Sequence, residues 1–441
     1  MTPRDLVADV VVVGAGPAGI ACSVRASELG SRVVLLDRAP RPGGQIWRHL
    51  PNARPSGAGG WWLDKLTRSG AVFIGEASVI DVVCAPDGHL VVAESSGVPL
   101  CIHARTLVLA TGARELCIPF DGWTLPGVLG IGGAQALLKS GAKFNGKRVA
   151  LAGSGPLMLP VAASMRAAGA KIVLLAEQAP LMSVARFAAG LVRAPSILLQ
   201  AARYRAQLGP LRYSTGTWVQ SAEGNSALES ITVTDGSRTW SQDVDILCTG
   251  YGLIPNVELA QFLGCDTRDG AVVVSTDQRT SVGNVFAAGE ISGIGGAPMS
   301  VVEGEIAAFA AASASGPVRE LLRRRATFEA AARRMKVAFA PRPELRALTQ
   351  PSTIVCRCED VRYGAVRDLD AARKAKLYTR TGMGPCQGRI CMPALEFLLG
   401  WGADTVRTPV EPAQIRTLTA AGAYLAGRGA HLHESIEEVN P

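Results

Sequence analysis

One unit of sequence occurs twice in this chain and constrains its architecture more than any other feature. Residues 7–13 form a nearly continuous apolar run, as expected of a parallel strand buried on both faces. GAGPAG follows (Gly14, Ala15, Gly16, Pro17, Ala18, Gly19), then a helical stretch to Leu29, a stop at Gly30 and a second strand ending at Asp37. The same order returns around Gly153: strand 147–152, turn GSGPLM at 153–158, helix 159–168, strand 171–177. Strand, glycine turn, helix and strand repeated in this way predict a duplicated nucleotide-binding fold, α/β in class, with parallel sheets.

Glycine is so common here, 49 of 441 residues, that G-x-G-x-x-G alone is a weak signal. Its context gives it force. Gly14 permits the tight turn off the strand, Gly16 lets backbone approach a pyrophosphate, and Gly19 lets helix pack on strand. The helix that opens at Pro17 and Ala18 offers unpaired N–H groups to phosphates. Asp37, at the end of the second strand and followed by Arg38, stands where a carboxylate accepts from ribose hydroxyls.

The second turn is damaged. Gly153, Gly155 and Pro156 are kept, but Met158 occupies the third glycine position, so the helix must stand off or shift. Glu177, at the end of the following strand, still supplies a ribose-type carboxylate. Three readings stay open: an empty domain kept for packing, a statically bound adenine nucleotide (ATP or a second flavin), and a working NAD(P)H site.

The ten cysteines divide into two classes. Cys22, Cys84, Cys101, Cys117, Cys248 and Cys265 lie in apolar or strand-like contexts and are expected as buried free thiols. They form no C-x-x-C or C-x4-C pair, which argues against disulfide reduction. Cys356 and Cys358 form a C-x-C pair, Cys386 and Cys391 a C-x4-C pair, with 359–385 between them. Four thiolates bind zinc or ligate a [2Fe-2S] cluster, and C-x-C is tighter than the usual zinc spacing. Gly382, Gly384 and Gly388 are expected to turn backbone N–H groups toward cluster sulfurs, and Arg357, Arg380 and Arg389 to offset thiolate charge.

Composition adds limits. A net charge of +8 on 441 residues selects no partner by itself. No base-reading helix or stacking platform is legible, so nucleic acid is not expected, and no apolar run reaches the ~18–20 residues of a membrane span. A first strand starting near Leu6 leaves no room for a signal peptide, so a cytoplasmic location is expected. The five histidines (His49, His89, His103, His431, His433) form no constellation, and no catalytic acid or base is assigned. Arg319, Arg323, Arg324, Arg325, Arg333, Arg334 and Lys336 lie on a connector helix whose basic face is either solvated or covers an anionic partner.

Together these motifs resemble the two-dinucleotide-domain flavoproteins that include the pyridine nucleotide-disulfide oxidoreductases. The resemblance implies FAD in the first site. It assigns further FAD contacts to Gly44 and Gln45 of RPGGQIW, to Ala110, Thr111 and Gly112, and to Gly289, Glu290 and Gly293. Glu290 stands where the family more often has Asp. CRCE followed by GMGPCQGRIC resembles the [2Fe-2S]-binding domain of the bacterioferritin-associated-ferredoxin type, which implies Cys356, Cys358, Cys386 and Cys391 as ligands. That family's last pair is often C-x2-C.

Over residues 5–410 the chain resembles the alpha (A) subunits of bacterial heteromeric amine dehydrogenases. These include opine oxidase, D-hydroxyproline dehydrogenase, heteromeric L-proline dehydrogenase and the B subunit of hydrogen cyanide synthase. The likeness is carried by GAGPAG, PGGQ, LPGV (125–128), AGSGPL (152–157), TGYGLIPN (249–256), AAGEISGIGG (287–296) and the cysteine segment. It implies several partners: a beta subunit resembling D-amino-acid oxidase and sarcosine oxidase with its own FAD, an FMN at the subunit interface in some members, and a small ferredoxin-like gamma subunit. It implies electrons leaving to an acceptor such as quinone, with peripheral association at the inner membrane. A stand-alone NAD(P)H-dependent reductase and a non-catalytic nucleotide-binding scaffold are the competing readings. The expected division is FAD domain 1–125 and 281–316, second nucleotide domain 126–280, connector 317–350, [2Fe-2S] domain 351–410, and C-terminal helix and tail 411–441.

Overall fold

The computed structural model describes residues 3–50, 53, 55–85, 87–191, 195–211, 213–402 and 406–424. Residues 425–441 of the expected helix and tail 411–441, with His431 and His433, and Pro86 of the turn that the run Pro86, Asp87, Gly88 predicts lie outside the described residues.

The first sheet has seven strands among the described residues. Val72–Ile74, Val33–Leu36, Arg4–Val13, Val98–Leu109 and Val285–Ala287 run parallel in that spatial order. Val10, Val11 and Val12 are fully buried, which explains the unbroken apolar run. Ala77–Ala85 and Gly88–Ser95 form an antiparallel hairpin that extends this sheet. Ser96 and Gly97 both take positive φ (48° and 76°), the two-residue turn that matches strand twist. Val98–Leu109 pairs antiparallel with Gly88–Ser95 over residues 98–104 and parallel with Arg4–Val13 over residues 100–109.

The second sheet repeats the plan, in the order Tyr213–Thr215, Lys171–Glu177, Arg148–Gly153, Ile246–Gly250, Val128–Gly130. Its fifth strand comes first in sequence. The meander Trp218–Glu223, Ser230–Thr234, Thr239–Asp243 covers one face.

The chain crosses between the sheets on two short strands, Ala113–Glu115 and Leu253–Pro255, paired antiparallel. Ile118 and Phe120 pack in the core of the second unit, whereas Leu259, Ala260, Cys265 and Val272 pack in that of the first. The expected boundaries near 125 and 281 therefore move to these crossings, because the core each segment joins defines its domain.

Helix Ala297–Ala311 lies across helix Pro17–Glu28 so closely that a Cβ on Gly304 would stand 2.1 Å from the Ala18 carbonyl oxygen. Helix Val318–Ala338 packs Leu321 onto Phe309 and the face of that same helix. Arg319, Arg323, Arg324, Arg333, Arg334 and Lys336 are exposed, as a solvated face requires, but Arg325 turns inward to the fully buried Glu303 at 3.0 Å.

The cysteine-bearing segment has its own small core of Val355, Val366, Ala375, Leu395 and Trp401. Beyond it the chain returns to the first unit. The Val410 N–H bonds to the Ile80 carbonyl, and residues 415–424 form a helix whose Ala421 packs on Leu90 and Val92.

Candidate cofactor-binding turns and thiol cluster

The first glycine turn is built for close approach. Gly14, at φ +108°, lies where a Cβ would meet the Ala110 carbonyl oxygen at 2.2 Å, and one on Gly19 would meet the Gly14 oxygen at 1.8 Å. Gly16, Gly112 and Gly293 differ: nothing stands within 4 Å of their Cβ directions. No side chain caps helix Pro17–Glu28, so its first N–H groups face this open space. Asp37 is half-buried and accepts from the N–H groups of Ala15 (2.6 Å) and Ala39 (2.7 Å). Arg38 is exposed and pairs with Glu411 at 3.3 Å.

Gly44 packs its backbone against Gly16, a Cβ there falling 2.8 Å from the Gly16 Cα, while the Gly43 N–H bonds to the Ala15 carbonyl. This brings the exposed Gln45 beside the turn. Ala110 and Ala18 are buried, Ala18 wedged under Gly289 and Gly304, so these two serve close packing around the turn. Thr111 donates to the Asn256 carbonyl at 2.7 Å, and the Asn256 amide returns a bond to the Thr111 carbonyl at 2.8 Å. The Gly289 N–H bonds to Glu303 at 3.0 Å. Burial pushes the Glu290 carboxyl up, partly offset by the Gly296 N–H.

Two groups at the junction between the units escape notice in sequence. Lys139, at the end of helix Ile131–Lys139 of the second unit, donates to the Gln45 and Ile46 carbonyls at 3.1 and 2.6 Å. Burial, with help from Arg48, pulls its amine down to about 8. Glu115 accepts from the N–H groups of Gly132 (2.7 Å) and Gly133 (3.2 Å) at the start of that helix, and burial pushes its carboxyl up.

The second turn has a different character. Its helix begins at Met158, five residues after Gly153, whereas the first begins three residues after Gly14. The fully buried Met158 side chain accounts for the offset. Pro156 is exposed. Glu177 is fully buried and accepts from the Gly155 and Ala179 N–H groups at 2.8 Å each, from Ser154 Oγ at 3.2 Å and from the Tyr213 hydroxyl at 3.4 Å. Burial raises its carboxyl to about 7 against those donors.

The four clustered cysteines line one cavity of about 250 Å³, with Cys117, Phe120, Trp123, Val128, Gly130 and Thr249 of the second unit on its other side. Cys356 ends strand Ile354–Cys356, and Cys391 opens helix Cys391–Leu399, where the helix dipole favours a thiolate. Cys358 feels the Cys386 N–H, which lowers it, then burial and the Cys386 and Cys356 thiols, which raise it, for a net rise. Burial raises Cys391, and the neighbouring Cys356 and Cys386 thiols add to the rise. Cys391 thus feels both Cys356 and Cys386, and Cys358 feels both Cys386 and Cys356, so the four thiols form one group. Among the described residues no three His, Cys, Asp or Glu side chains close around a single metal-ion position.

A Cβ on Gly384 would lie 2.3 Å from that of Cys358, so this glycine makes room for the thiol. Gly382 and Gly388 instead pack on each other and on Met392. Arg380 pairs with Glu359 at 2.8 Å and Arg389 with Glu411 at 3.0 Å, so neither is reserved for thiolate charge. Of the scattered cysteines, Cys22, Cys101, Cys248 and Cys265 are buried, but Cys84 is exposed near the end of its hairpin strand and Cys117 is half-buried against the cavity.

Among the described residues no helix is long and apolar enough to cross a membrane. Comparison with known proteins agrees with the duplicated architecture. Residues 8–316 match the family described as pyridine nucleotide-disulphide oxidoreductase. The A subunit of opine oxidase from Rhizobium meliloti is 34% identical, covering 92% of this chain and 97% of its own length. Hydrogen cyanide synthase subunit HcnB of Pseudomonas aeruginosa is 32% identical over 90% of this chain and 92% of its own. In fold, L-proline dehydrogenase from P. horikoshii superposes with a TM-score of 0.67 at 19% identity, covering 95% of this chain and 80% of that one. T. acidophilum thioredoxin reductase superposes with a TM-score of 0.56 at 21% identity, over 70% of this chain and 98% of that one. Duplicated parallel sheets, two glycine turns and near full-length likeness to these oxidoreductase subunits place the chain in the pyridine nucleotide-disulphide oxidoreductase family, among the opine oxidase A and HcnB subunits.

Proposed function

We propose that this chain is the FAD- and [2Fe-2S]-carrying electron-transfer subunit of a heteromeric dehydrogenase that oxidises a C–N bond in an amino acid, opine or hydroxyproline. The bond is broken at the flavin of a partner subunit resembling D-amino-acid oxidase or sarcosine oxidase. A ferredoxin-like small subunit and an interfacial FMN complete the assembly in this reading. Electrons leave to quinone or a similar acceptor, with the complex cytoplasmic and peripheral to the inner membrane.

The single observation that carries the reading is the gathering of four thiols, from two separate segments of the chain, in one cavity against the second unit. Four thiols at C-x-C and C-x4-C spacing suit a two-iron cluster, in which each iron takes two thiolates, better than a zinc site with its wider spacing. Cys356, Cys358, Cys386 and Cys391 would hold it.

The open first turn fits FAD. The free N–H groups of helix Pro17–Glu28 and the bare Gly16 would receive the diphosphate, Asp37 the ribose hydroxyls, and Gly289 to Gly293 with Glu290 the ribityl chain. When bound, a flavin exchanges electrons in pairs or singly, and a [2Fe-2S] cluster exchanges them singly. The protein's own work is positional. Lys139 and Glu115 tie the second unit to the flavin-side segment, while Arg114 donates to the Arg389 carbonyl at 2.9 Å and anchors the cysteine loop beside the crossing strands.

The test is co-expression with the products of the neighbouring genes, followed by iron, sulfide and flavin analysis and amine-dependent dye reduction. Turnover is expected in the complex and absent from this chain alone. Amine oxidation by the isolated chain, or bleaching of its flavin by NADH, would overturn the reading, the latter in favour of a stand-alone reductase.

A further inference from the structure

The second glycine turn is filled by the chain itself. Ser154 Oγ donates to the Phe339 carbonyl at 2.8 Å. The Gln178 amide nitrogen donates to the Ala340 carbonyl at 3.0 Å, and its oxygen accepts from the Arg342 N–H at 3.1 Å. The Gln178 nitrogen also reaches Ser154 Oγ at 2.8 Å, which joins the three contacts into one network. The Phe339 ring lies 4.0 Å from the Cβ direction of Gly155, and its edge meets Phe187 at a centroid distance of 5.0 Å. The first unit has no such filling at Gly16, the counterpart of Gly155 in the glycine turn. There, nothing lies within 4 Å of the Gly16 Cβ direction, and the half-buried Asp37 accepts from the Ala15 and Ala39 N–H groups.

A ribose at the second site would need Glu177, yet that carboxyl is fully buried and already accepts from the Gly155 and Ala179 N–H groups and the Tyr213 hydroxyl. A diphosphate would need the Gly155 N–H, which Glu177 already takes, and the space in front of Gly155, which the Phe339 ring faces. The residues present therefore do not fit a dinucleotide. They fit a peptide backbone: the carbonyls of Phe339 and Ala340 and the N–H of Arg342 are bound by the Ser154 and Gln178 side chains. The peptide is the stretch between helix Val318–Ala338 and the turn Pro343–Leu348 that leads to the thiols.

We propose that the second glycine turn is an internal socket, which binds the connector backbone at 339–342 in place of a nucleotide and so fixes the segment that carries the four cysteines. The inference goes beyond the electron-transfer reading and does not depend on it, since it holds whether the thiols take iron, zinc or nothing.

The test uses the flavin-loaded full chain. Equilibrium dialysis with ATP, ADP and NADH is expected to show no uptake up to about 1 mM. In amide hydrogen exchange the Arg342 N–H is expected to be protected in the wild type. Exchange there should be about tenfold faster or more in Gln178→Ala and in the pair Ser154→Ala with Gln178→Ala, at unchanged flavin absorbance. Stoichiometric nucleotide uptake by the wild type, or an Arg342 amide that already exchanges freely, would overturn the proposal. Both are read on the unmutated protein, so a variant that fails to fold does not blunt the test.

Discussion

Lys139 Nζ lies 2.6 Å from the Ile46 carbonyl oxygen and 3.1 Å from that of Gln45, a contact between the second unit and the segment that lies over the first glycine turn. The amine is held down to about 8 by burial, so it is built into this junction rather than trailing in solvent. Replacing it with Met keeps the aliphatic stem and removes both bonds, each worth about 1 kcal/mol or more. FAD affinity of Lys139→Met is expected to fall roughly tenfold, read by flavin fluorescence on dilution.

Gly14 and Gly16 are expected to respond in opposite ways to one added methyl group. At Gly14 it would collide with the Ala110 carbonyl oxygen at 2.2 Å on a backbone of positive φ, so Gly14→Ala should fail to fold. At Gly16, with ordinary φ of −78° and open space ahead, Gly16→Ala should fold normally. The added carbon would instead stand where a diphosphate must approach, and FAD affinity is expected to drop about a hundredfold. Thermal denaturation and flavin content separate the two outcomes.

The cysteine cavity offers an internal control. Cys117 lines the same space as Cys386 but belongs to neither thiol pair, and burial pushes its thiol up to about 11. Cys386→Ser is expected to abolish bound iron and the visible cluster absorption while FAD stays bound. Cys117→Ser is expected to keep iron at wild-type content. Metal and sulfide analysis of both variants checks the assignment, and zinc in the wild type would refute it.

The buried Glu177 makes stability pH-dependent. Its carboxyl is raised from an ordinary 4.5 to about 7, so the folded state holds a proton there that the unfolded state has released. Stability from this group is full below 4.5 and is lost as pH rises through about 7, a change on the order of 3 kcal/mol. Chemical denaturation of the wild type is expected to show this decline between about pH 5 and pH 8. Glu177→Gln, which cannot titrate, should flatten it.

How far the sequence reveals the molecule depends on the length scale of each feature. The first turn is readable because a buried strand, three glycines and Asp37 all fall within the single stretch 7–37, each with its own steric reason. The offset of the second helix is readable too, because Met158 cannot sit where Gly19 sits. Strands of three residues, such as Val128–Gly130 and Ala113–Glu115, are too short to show a period, so the expected domain boundaries are displaced from the observed crossings. The connector contact is invisible for a deeper reason: Ser154 and Gln178 bind main-chain groups of Phe339, Ala340 and Arg342, and every residue has a carbonyl. Cys84 reads as interior because its strand is apolar, but it falls among the last three residues of that strand, 83–85, all of which are exposed.

The antiparallel ribbon formed by Ala113–Glu115 and Leu253–Pro255 would, by itself, leave two lobes able to swivel about a common axis. Here the lobes are laced together again well away from that axis. Helix Val318–Ala338 runs from Phe309 on one lobe to Gly190 on the other, and residues 410–424 clamp the far end of the chain back onto the hairpin. A body fastened at several separated points does not rotate, so the spacing between the flavin turn and the thiols becomes a constant of the molecule. In the electron-transfer role proposed above, that fastening would make the gap between donor and acceptor a property of the covalent chain rather than of a moving joint.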